Sequence, residues 1–165
     1  MQKGLATLEI IFAIIIIGVL VKVAVPNAAQ ILDTAALDYE TKKLYSDLRF
    51  VQEMGRSSRI DDKGMGDTGL FGNNSDDKIT LFISSNENNW QIFREAGLNN
   101  SIREPHNLSY GVKVYSPIQK INFDSDGKAN INSNHITLTS RLGKKRYIIF
   151  NSVGRMRSSL TPAND

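Results

Sequence analysis

The first 25 residues contain an apolar stretch long enough to cross a membrane. Every residue from Ile10 to Val21 is apolar, counting Gly18, and Val23 to Val25 continue the stretch beyond Lys22. A helix from Leu5 to Val25 would be roughly 30 Å long, which matches the hydrocarbon core of a bilayer. We therefore predict a transmembrane helix over residues 5–25.

One carboxylate, that of Glu9, lies inside this apolar stretch. A charge at the centre of a bilayer costs at least ~2.5 kcal/mol, even on the gentlest insertion scale. A simple membrane anchor is not expected to carry that cost, so Glu9 requires a compensating partner. The need for a partner indicates a function beyond anchoring.

The residues before Glu9 begin with a short basic leader, residues 1–4, which contains Lys3 and ends in Gly4, and Glu9 is the fifth residue after that glycine. This arrangement resembles the N-terminus of a type IV prepilin or pseudopilin. The resemblance implies cleavage after Gly4 by a prepilin peptidase and methylation of the new amine on Leu5. It also implies that Glu9 pairs with the terminal amine of a neighbouring subunit in a filament. An anion and a cation buried in apolar surroundings are tolerated only together, which agrees with this arrangement.

Two further positions fit the same resemblance, and one departs from it. Gly18 and Pro26 stand where many pilins have a helix-loosening glycine and a kinking proline. Leu5 stands where phenylalanine is usual in the family. The departure puts little in doubt, because the peptidase depends mainly on the preceding glycine.

Two other classes of N-terminal segment remain as alternatives. A secretory signal peptide has an apolar core followed by a small-residue cleavage site, but the site after this core is poor and Glu9 lies within the core. A plain signal anchor explains the hydrophobicity and leaves Glu9 unexplained. The mature N-terminus distinguishes the three classes: Leu5 indicates a pilin, a residue near Ala29 a signal peptide, and Met1 an anchor.

The charges on either side of the apolar stretch predict its orientation. Lys3 and the terminal amine precede the span, and the first charged residues after Pro26 are acidic. Positive charge is retained on the cytoplasmic side, so we expect a cytoplasmic N-terminus and an exported domain. We expect a single-pass protein of the bacterial inner membrane, which by the pilin resemblance later enters an extracytoplasmic filament. The absence of cysteine excludes disulfides, thiol catalysis and cysteine-based metal sites.

The rest of the chain predicts an α+β fold. Residues 26–56 continue the helix as an amphipathic segment, and the helix is expected to end early, near Gly55. Residues 57–78 are rich in Gly, Asp, Asn and Ser, which predicts a long loop. Residues 79–165 predict a small antiparallel β-domain on which the second half of the helix packs, a pilin-like layout. The apolar positions of that half are Leu37, Leu44, Leu48 and Val51.

Short segments of the β-domain have strand character, and each is bounded by Asn, Gly, Asp, Ser or Pro clusters. These predicted strands are Ile79–Ser84, Trp90–Arg94, Tyr110–Tyr115, Lys120–Phe123, Ile136–Ser140 and Arg146–Phe150. The sequences NENN at 86–89 and DSDG at 124–127 predict hairpin turns.

Residues that could support catalysis are sparse. His106 and His135 lie in different segments of the sequence, and neither is followed or preceded by a carboxylate or nucleophile at a spacing typical of a catalytic site. The sequence contains no phosphate-binding glycine loop and no zinc pattern. We predict that the chain is not an enzyme and needs no cofactor.

Two acidic stretches are candidates for calcium sites. Asn122, Asp124 and Asp126 match part of an EF-hand loop, but the twelfth position is Ser133 and the flanking residues predict strands. A β-turn is the better explanation of that stretch. The loop that contains Asp61, Asp62 and Asp67 has carboxylates but no recognisable ligand order. We therefore predict no metal site.

The C-terminal part of the sequence is basic. From Gly127 to Asn164 it contains lysines and arginines but no Asp or Glu. If the chain is extended after Gly154, two of its arginines project from the same face, and their planar guanidinium groups suit phosphate. The candidate DNA-binding cluster comprises Lys144, Lys145, Arg146, Arg155 and Arg157.

The chain ends with a GR-x-R signature from Gly154 to Arg157, after a predicted strand pair and a turn, and Trp90 and the segment INFDSDGK at 121–128 precede it in that order. These features are similar to the FimT/GspH branch of minor pilins and pseudopilins. Some members of that branch bind DNA for uptake through the two arginines of the signature. The resemblance implies this role for Arg155 and Arg157. The alternative is a solvated basic face, or an Arg155 that braces the sheet.

These features together predict a minor pilin of a type IV pilus-like filament, acting in filament priming and assembly and binding DNA through the basic cluster. Its expected partners are other pilins or pseudopilins, the prepilin peptidase, the inner-membrane assembly platform, the membrane and DNA. One alternative is a GspH-like minor pseudopilin of a type II secretion system. Another is a membrane-tethered DNA-binding module that does not polymerise.

Overall fold

The computed structural model describes residues 2–61, 78–95, 101–131, 134–151 and 153–162, with side chains of the helix given for 8–57. Most of the predicted loop over 57–78 therefore lies outside the described residues, as do the side chains of Asp61, Asp62 and Asp67.

One helix, α1, runs from Gln2 to Asp61, a length of 60 residues or about 90 Å. It passes through Pro26 and Gly55, so the expectation that it ends near Gly55 is wrong. The glycine serves packing instead of termination. A Cβ at residue 55 would lie 2.8 Å from the carbonyl oxygen of Phe123, so only glycine lets the helix approach the backbone of the β-domain this closely.

The described strands form two antiparallel sheets of four. Sheet A has the order β3-β2-β1-β5 and sheet B has the order β4-β6-β7-β8. The strands are β1 (Ile79–Ser84), β2 (Asn89–Arg94), β3 (Ser101–Asn107), β4 (Lys113–Tyr115), β5 (Lys120–Asn122), β6 (His135–Thr139), β7 (Lys145–Phe150) and β8 (Met156–Ser159).

The predicted α+β class is confirmed as one long N-terminal helix packed on a small antiparallel β-structure. The six predicted strands correspond to β1, β2, β4, β5, β6 and β7. Both hairpin turns are confirmed, the second by a hydrogen bond of 2.9 Å from the Gly127 amide to the Asp124 carbonyl. Strand β3 was missed because it contains Pro105 and its side chains are almost all exposed, without apolar alternation, and β8 was considered only as an extended segment after Gly154.

The core lies between the second half of α1 and the inner faces of both sheets. Leu37, Leu44, Leu48 and Val51 are fully buried, as their spacing predicted. They pack with apolar side chains from the two sheets in a single cluster. The sheet residues that fill most of this cluster are Leu81, Ile83, Trp90, Ile92, Ile121, Ile136, Leu138, Ile148 and Phe150.

Three buried acids, Asp33, Glu40 and Asp47, bind the helix to the β-domain. They are seven residues apart and therefore lie along one face of α1. Asp33 accepts a hydrogen bond of 2.6 Å from the hydroxyl of Ser140 in the β6–β7 turn. Buried acceptors stabilise a fold only when donors satisfy them. These hydrogen bonds therefore fix where α1 lies along the β-domain as well as how closely it packs against it.

The other two acids contact sheet A. Glu40 is fully buried, accepts hydrogen bonds from the backbone amide and hydroxyl of Ser109, and lies 2.7 Å from Nε2 of His106. Asp47 accepts a hydrogen bond of 2.9 Å from the indole of Trp90 and one of 2.6 Å from Arg103. The edge of sheet A is thus attached to the helix by charge-assisted hydrogen bonds.

Side-chain amides occupy the outer edges of two edge strands. The Asn88 side chain donates to the carbonyl of Val112 at 2.7 Å and accepts from the amide of Val114 at 3.1 Å, beside β4. The Asn130 side chain contacts the edge of β5 in the same way, through the carbonyl of Lys120 and the amide of Asn122. Each asparagine takes the hydrogen-bonding positions that another strand would use.

Candidate functional site: the exposed half of the helix and the basic surface

The first half of α1 exposes its apolar side chains. The large apolar residues between Leu8 and Val25 are between 52% and 64% exposed, whereas the core leucines of the second half are fully buried. The helix is long and apolar enough to cross a membrane. The length and the exposed apolar surface of the predicted transmembrane segment are thereby confirmed.

Glu9 lies on this exposed apolar surface. Among the described side chains, none forms an ion pair or hydrogen bond with its carboxylate. Gly4 and Leu5 lie in the helical backbone of α1, and their surroundings fall outside the described side chains. Cleavage after Gly4, methylation of Leu5 and pairing of Glu9 with a neighbour therefore stay predictions.

Gly18 and Pro26 both lie inside the continuous helix. A Cβ at Gly18 would meet nothing within 4 Å, so no contact within the described chain requires a glycine there. Pro26 stands between the exposed half and Asp33, the first buried residue of the packed half. Proline removes one hydrogen bond from the helix, so this junction is where bending is easiest. A kink at these positions stays a prediction.

The structure separates the five predicted DNA-binding cations into two groups. Lys144 donates a hydrogen bond of 2.6 Å to the hydroxyl of Thr34, and Arg146 donates one of 2.9 Å to Asp38. Both partners are on α1, so Lys144 and Arg146 bind sheet B to the helix. Lys145, by contrast, is exposed on the other face of β7.

Arg155 and Arg157 are both exposed and flank Met156, which is 5% exposed. Because side chains alternate along an extended chain, the two arginines project from the same side of sheet B, as predicted. The Arg155 amide donates a hydrogen bond of 2.7 Å to the side chain of Asn151, which fixes the turn that precedes β8.

Gly154, the glycine of the GR-x-R signature, is required by backbone geometry. Its φ is +80°, and a Cβ there would collide with the carbonyl oxygen of Gly127. The Gln52 side chain of α1 donates hydrogen bonds to the carbonyls of Gly127 at 2.7 Å and Gly154 at 2.6 Å. The helix therefore positions the turn from which the two arginines extend.

The remaining candidates have structural contacts. His106 contacts Glu40 and the ring of Trp90, and His135 lies edge-on to the ring of Tyr147 with centroids 5.3 Å apart. The side chain of Asp124 accepts hydrogen bonds from backbone amides of its own turn. Within the described ranges, no group of three or more His, Asp or Glu side chains is arranged to hold a metal ion.

Sequence reasoning missed the buried roles of Glu40 and Asp47. A shallow cavity of about 210 Å³ beside β3 is lined by Asp47, Trp90, Arg103 and His106, among others. The repeat of an acid every seven residues was the signal that could have predicted these helix–sheet contacts. Periodicity alone did not reveal which donors would meet them.

Comparison with known proteins adds no family assignment. Neither the family models nor the curated proteins nor the solved structures contain a match to this chain.

Proposed function

We propose that this protein is a minor pilin, a subunit of a type IV pilus-like filament that is processed after Gly4. The observation that carries the proposal is the division of one helix, α1, into an exposed apolar half and a half built into a β-domain. A chain of this form can rest in a membrane through its first half and later pack that half against helices of other subunits.

The position of Glu9 supports assembly over simple anchoring. The carboxylate stands on a surface that either lipid or neighbouring helices must cover, and in both settings an unpaired charge is costly. Processing after Gly4 would create an amine on Leu5, and the amine of an adjacent subunit would be the matching cation. This pairing would fix the axial register between subunits and favour filament initiation.

The mature N-terminus provides the direct test. Intact-mass and N-terminal peptide analysis of the native protein should give a chain that starts at a methylated Leu5. Replacing Gly4 with valine should abolish processing, and Gly18→Ala is the matched control because nothing lies within 4 Å of a Cβ there. A chain that still starts at Met1 would disprove the proposal in favour of an anchor, and a start near Ala29 would indicate a signal peptide.

We also propose that Arg155 and Arg157 hold the phosphate backbone of DNA. Support comes from their shared exposed face and from the lack of any acid between Gly127 and Asn164. Phosphate contacts by arginine release counterions, so the affinity should fall steeply with salt.

Duplex binding by the full chain in detergent micelles tests this second role. Arg155→Ala with Arg157→Ala should weaken binding and reduce the salt dependence by about two phosphate contacts. The control removes two other exposed cations, Lys42 and Arg141. Equal affinities for both double variants would show that the arginines have no special role, and salt-insensitive binding would contradict a phosphate site.

A further inference from the structure

The outer face of sheet B, the face turned away from α1, carries a repeated arrangement of lysine and tyrosine. Strand β4 consists of Lys113, Val114 and Tyr115, with Val114 buried. Strand β7 begins with Lys145, Arg146 and Tyr147, with Arg146 turned towards the helix. In both strands the lysine and the tyrosine therefore point outwards.

The strand register places the two Lys-x-Tyr sequences side by side. Lys113 and Lys145 both pair with Thr139 of β6, and Tyr115 and Tyr147 both pair with Thr137. Since β4 and β7 are each antiparallel to β6, they run in the same direction. The face thus has one row with two lysines and a neighbouring row with two tyrosines, and each pair is separated by one strand, or about 10 Å.

A third row extends this face towards the C-terminus. His135, Ile149 and Arg157 pair in register across β6, β7 and β8, and of these Ile149 is buried while Arg157 is exposed. His135 contacts the ring of Tyr147 edge to face, which restrains that ring. The four strands of sheet B contain no Asp or Glu, so every ionisable side chain that they direct outwards is either basic or aromatic.

We propose that this outer face, defined by Lys113, Tyr115, Lys145, Tyr147 and Arg157, binds single-stranded DNA by stacking bases on the two tyrosines. The proposal rests on the DNA-binding role proposed above, and it adds the form of DNA and the residues that select it. The cations contact phosphates, and the aromatic row contacts bases.

The tyrosine rings favour single-stranded DNA over duplex DNA as the ligand. Tyr115 is 63% exposed at the end of the edge strand β4, where its ring can meet a base, and Tyr147 is half-buried in β7. Bases of an intact duplex are stacked on each other and offer no free face, so a duplex can use only the lysines and Arg157. A single strand can use both rows, and any sequence can do so because every base has an aromatic face.

The outer face of sheet B lies on the side away from α1. Helix α1 packs on the inner side of sheet B through Leu138, Ile148 and Phe150. Helices of other subunits that pack only along the exposed half of α1 would not cover the outer face of sheet B.

Fluorescence anisotropy with the full chain in detergent micelles tests the proposal. The probes are an oligodeoxythymidine of about 20 nucleotides and a duplex of the same length. The single strand should bind more tightly. Tyr115→Ala with Tyr147→Ala should weaken single-strand binding by ~100-fold, at about 10-fold for each lost stack, and should change duplex binding by less than ~3-fold.

Two sets of variants act as controls. Tyr39→Ala removes a tyrosine of similar exposure, 59%, from the helix, and should leave both affinities unchanged. Lys113→Ala with Lys145→Ala should weaken both probes, because both present phosphates. Thermal unfolding followed by circular dichroism checks that each variant is folded.

The outcomes separate this inference from the proposals on which it rests. If the tyrosine variants bind the single strand normally while the lysine variants do not, the face is a general polyanion surface and the inference is wrong. If the duplex binds as tightly as the single strand, the inference is also wrong, while the role of Arg155 and Arg157 is unaffected. An unprocessed N-terminus would disprove the pilin proposal without changing either DNA affinity.

Discussion

The two halves of α1 share one backbone geometry and have opposite surroundings. In the packed half, the acids Asp33, Glu40 and Asp47 are buried, and each accepts hydrogen bonds from the β-domain. In the exposed half, Glu9 stands among apolar side chains and no described side chain pairs with it. The comparison shows that each buried acid of this helix meets specific donors of the β-domain. For Glu9 we expect the donor to belong to another molecule.

The largest effect should come from Glu9. In the proposed filament, Glu9→Ala would leave the terminal amine of the neighbouring subunit without its anion, which costs about 3–5 kcal/mol when one partner of a buried pair is removed. We expect incorporation into sheared filaments, measured by immunoblot, to fall more than ~100-fold.

The control for that experiment is Glu53→Ala, which removes an exposed glutamate of the packed half whose contact with Arg56 is a surface ion pair. Surface pairs contribute little, so incorporation should stay within twofold or so of the unmodified chain. Normal incorporation of Glu9→Ala would remove the main difference between the two halves and favour a tethered module that does not polymerise.

The next prediction compares the substitution of one apolar residue in each half of α1. Leu48→Ala should destabilise the β-domain by about 3 kcal/mol, since Leu48 is fully buried in the core. Ile16→Ala should leave that stability unchanged, since Ile16 is 59% exposed. Denaturant unfolding of the full chain in micelles, followed by the fluorescence of the buried Trp90, measures both. A loss of similar size for Ile16→Ala would show that the exposed half packs on the domain in solution.

A smaller effect is expected from Glu40. Glu40→Ala should destabilise the domain by about 1–3 kcal/mol, because the amide and hydroxyl of Ser109 and the ring of His106 lose their acceptor. Ser109 is exposed, so water can replace part of what is lost. The same unfolding measurement applies, with Glu53→Ala as the matched glutamate. An unchanged midpoint for Glu40→Ala would mean that apolar packing alone positions the helix.

Much of the fold could be predicted because burial follows residue spacing. The helical repeat of Leu37, Leu44, Leu48 and Val51 predicted which side of α1 meets the sheets, and six strands followed from short apolar segments between turn residues. Strand β3 could not be predicted in this way, because its backbone pairs with β2 while its side chains stay exposed. The packing role of Gly55 could not be predicted either, because it depends on a close contact with Phe123, which lies far away in the sequence.

The candidate site, like the fold, could be predicted only in part from the sequence. Alternation around Met156 was enough to place Arg155 and Arg157 on one face. The sequence could not show that Lys144 and Arg146 contact Thr34 and Asp38, because these contacts join residues more than a hundred positions apart. The alignment of Lys113 with Lys145 likewise depends on the shared partner strand β6, which local sequence does not specify.

The asparagine amides beside β4 and β5 affect how copies of this chain could associate. Subunits held at high concentration in a membrane or a fibre are at risk of runaway strand-to-strand polymerisation, because an open edge recruits any extended peptide. Asn88 and Asn130 close two of these edges from within the chain, and Pro105 interrupts the edge at β3. Growth through these three edges is thereby discouraged, and in the proposed filament copies would add through the apolar half of α1.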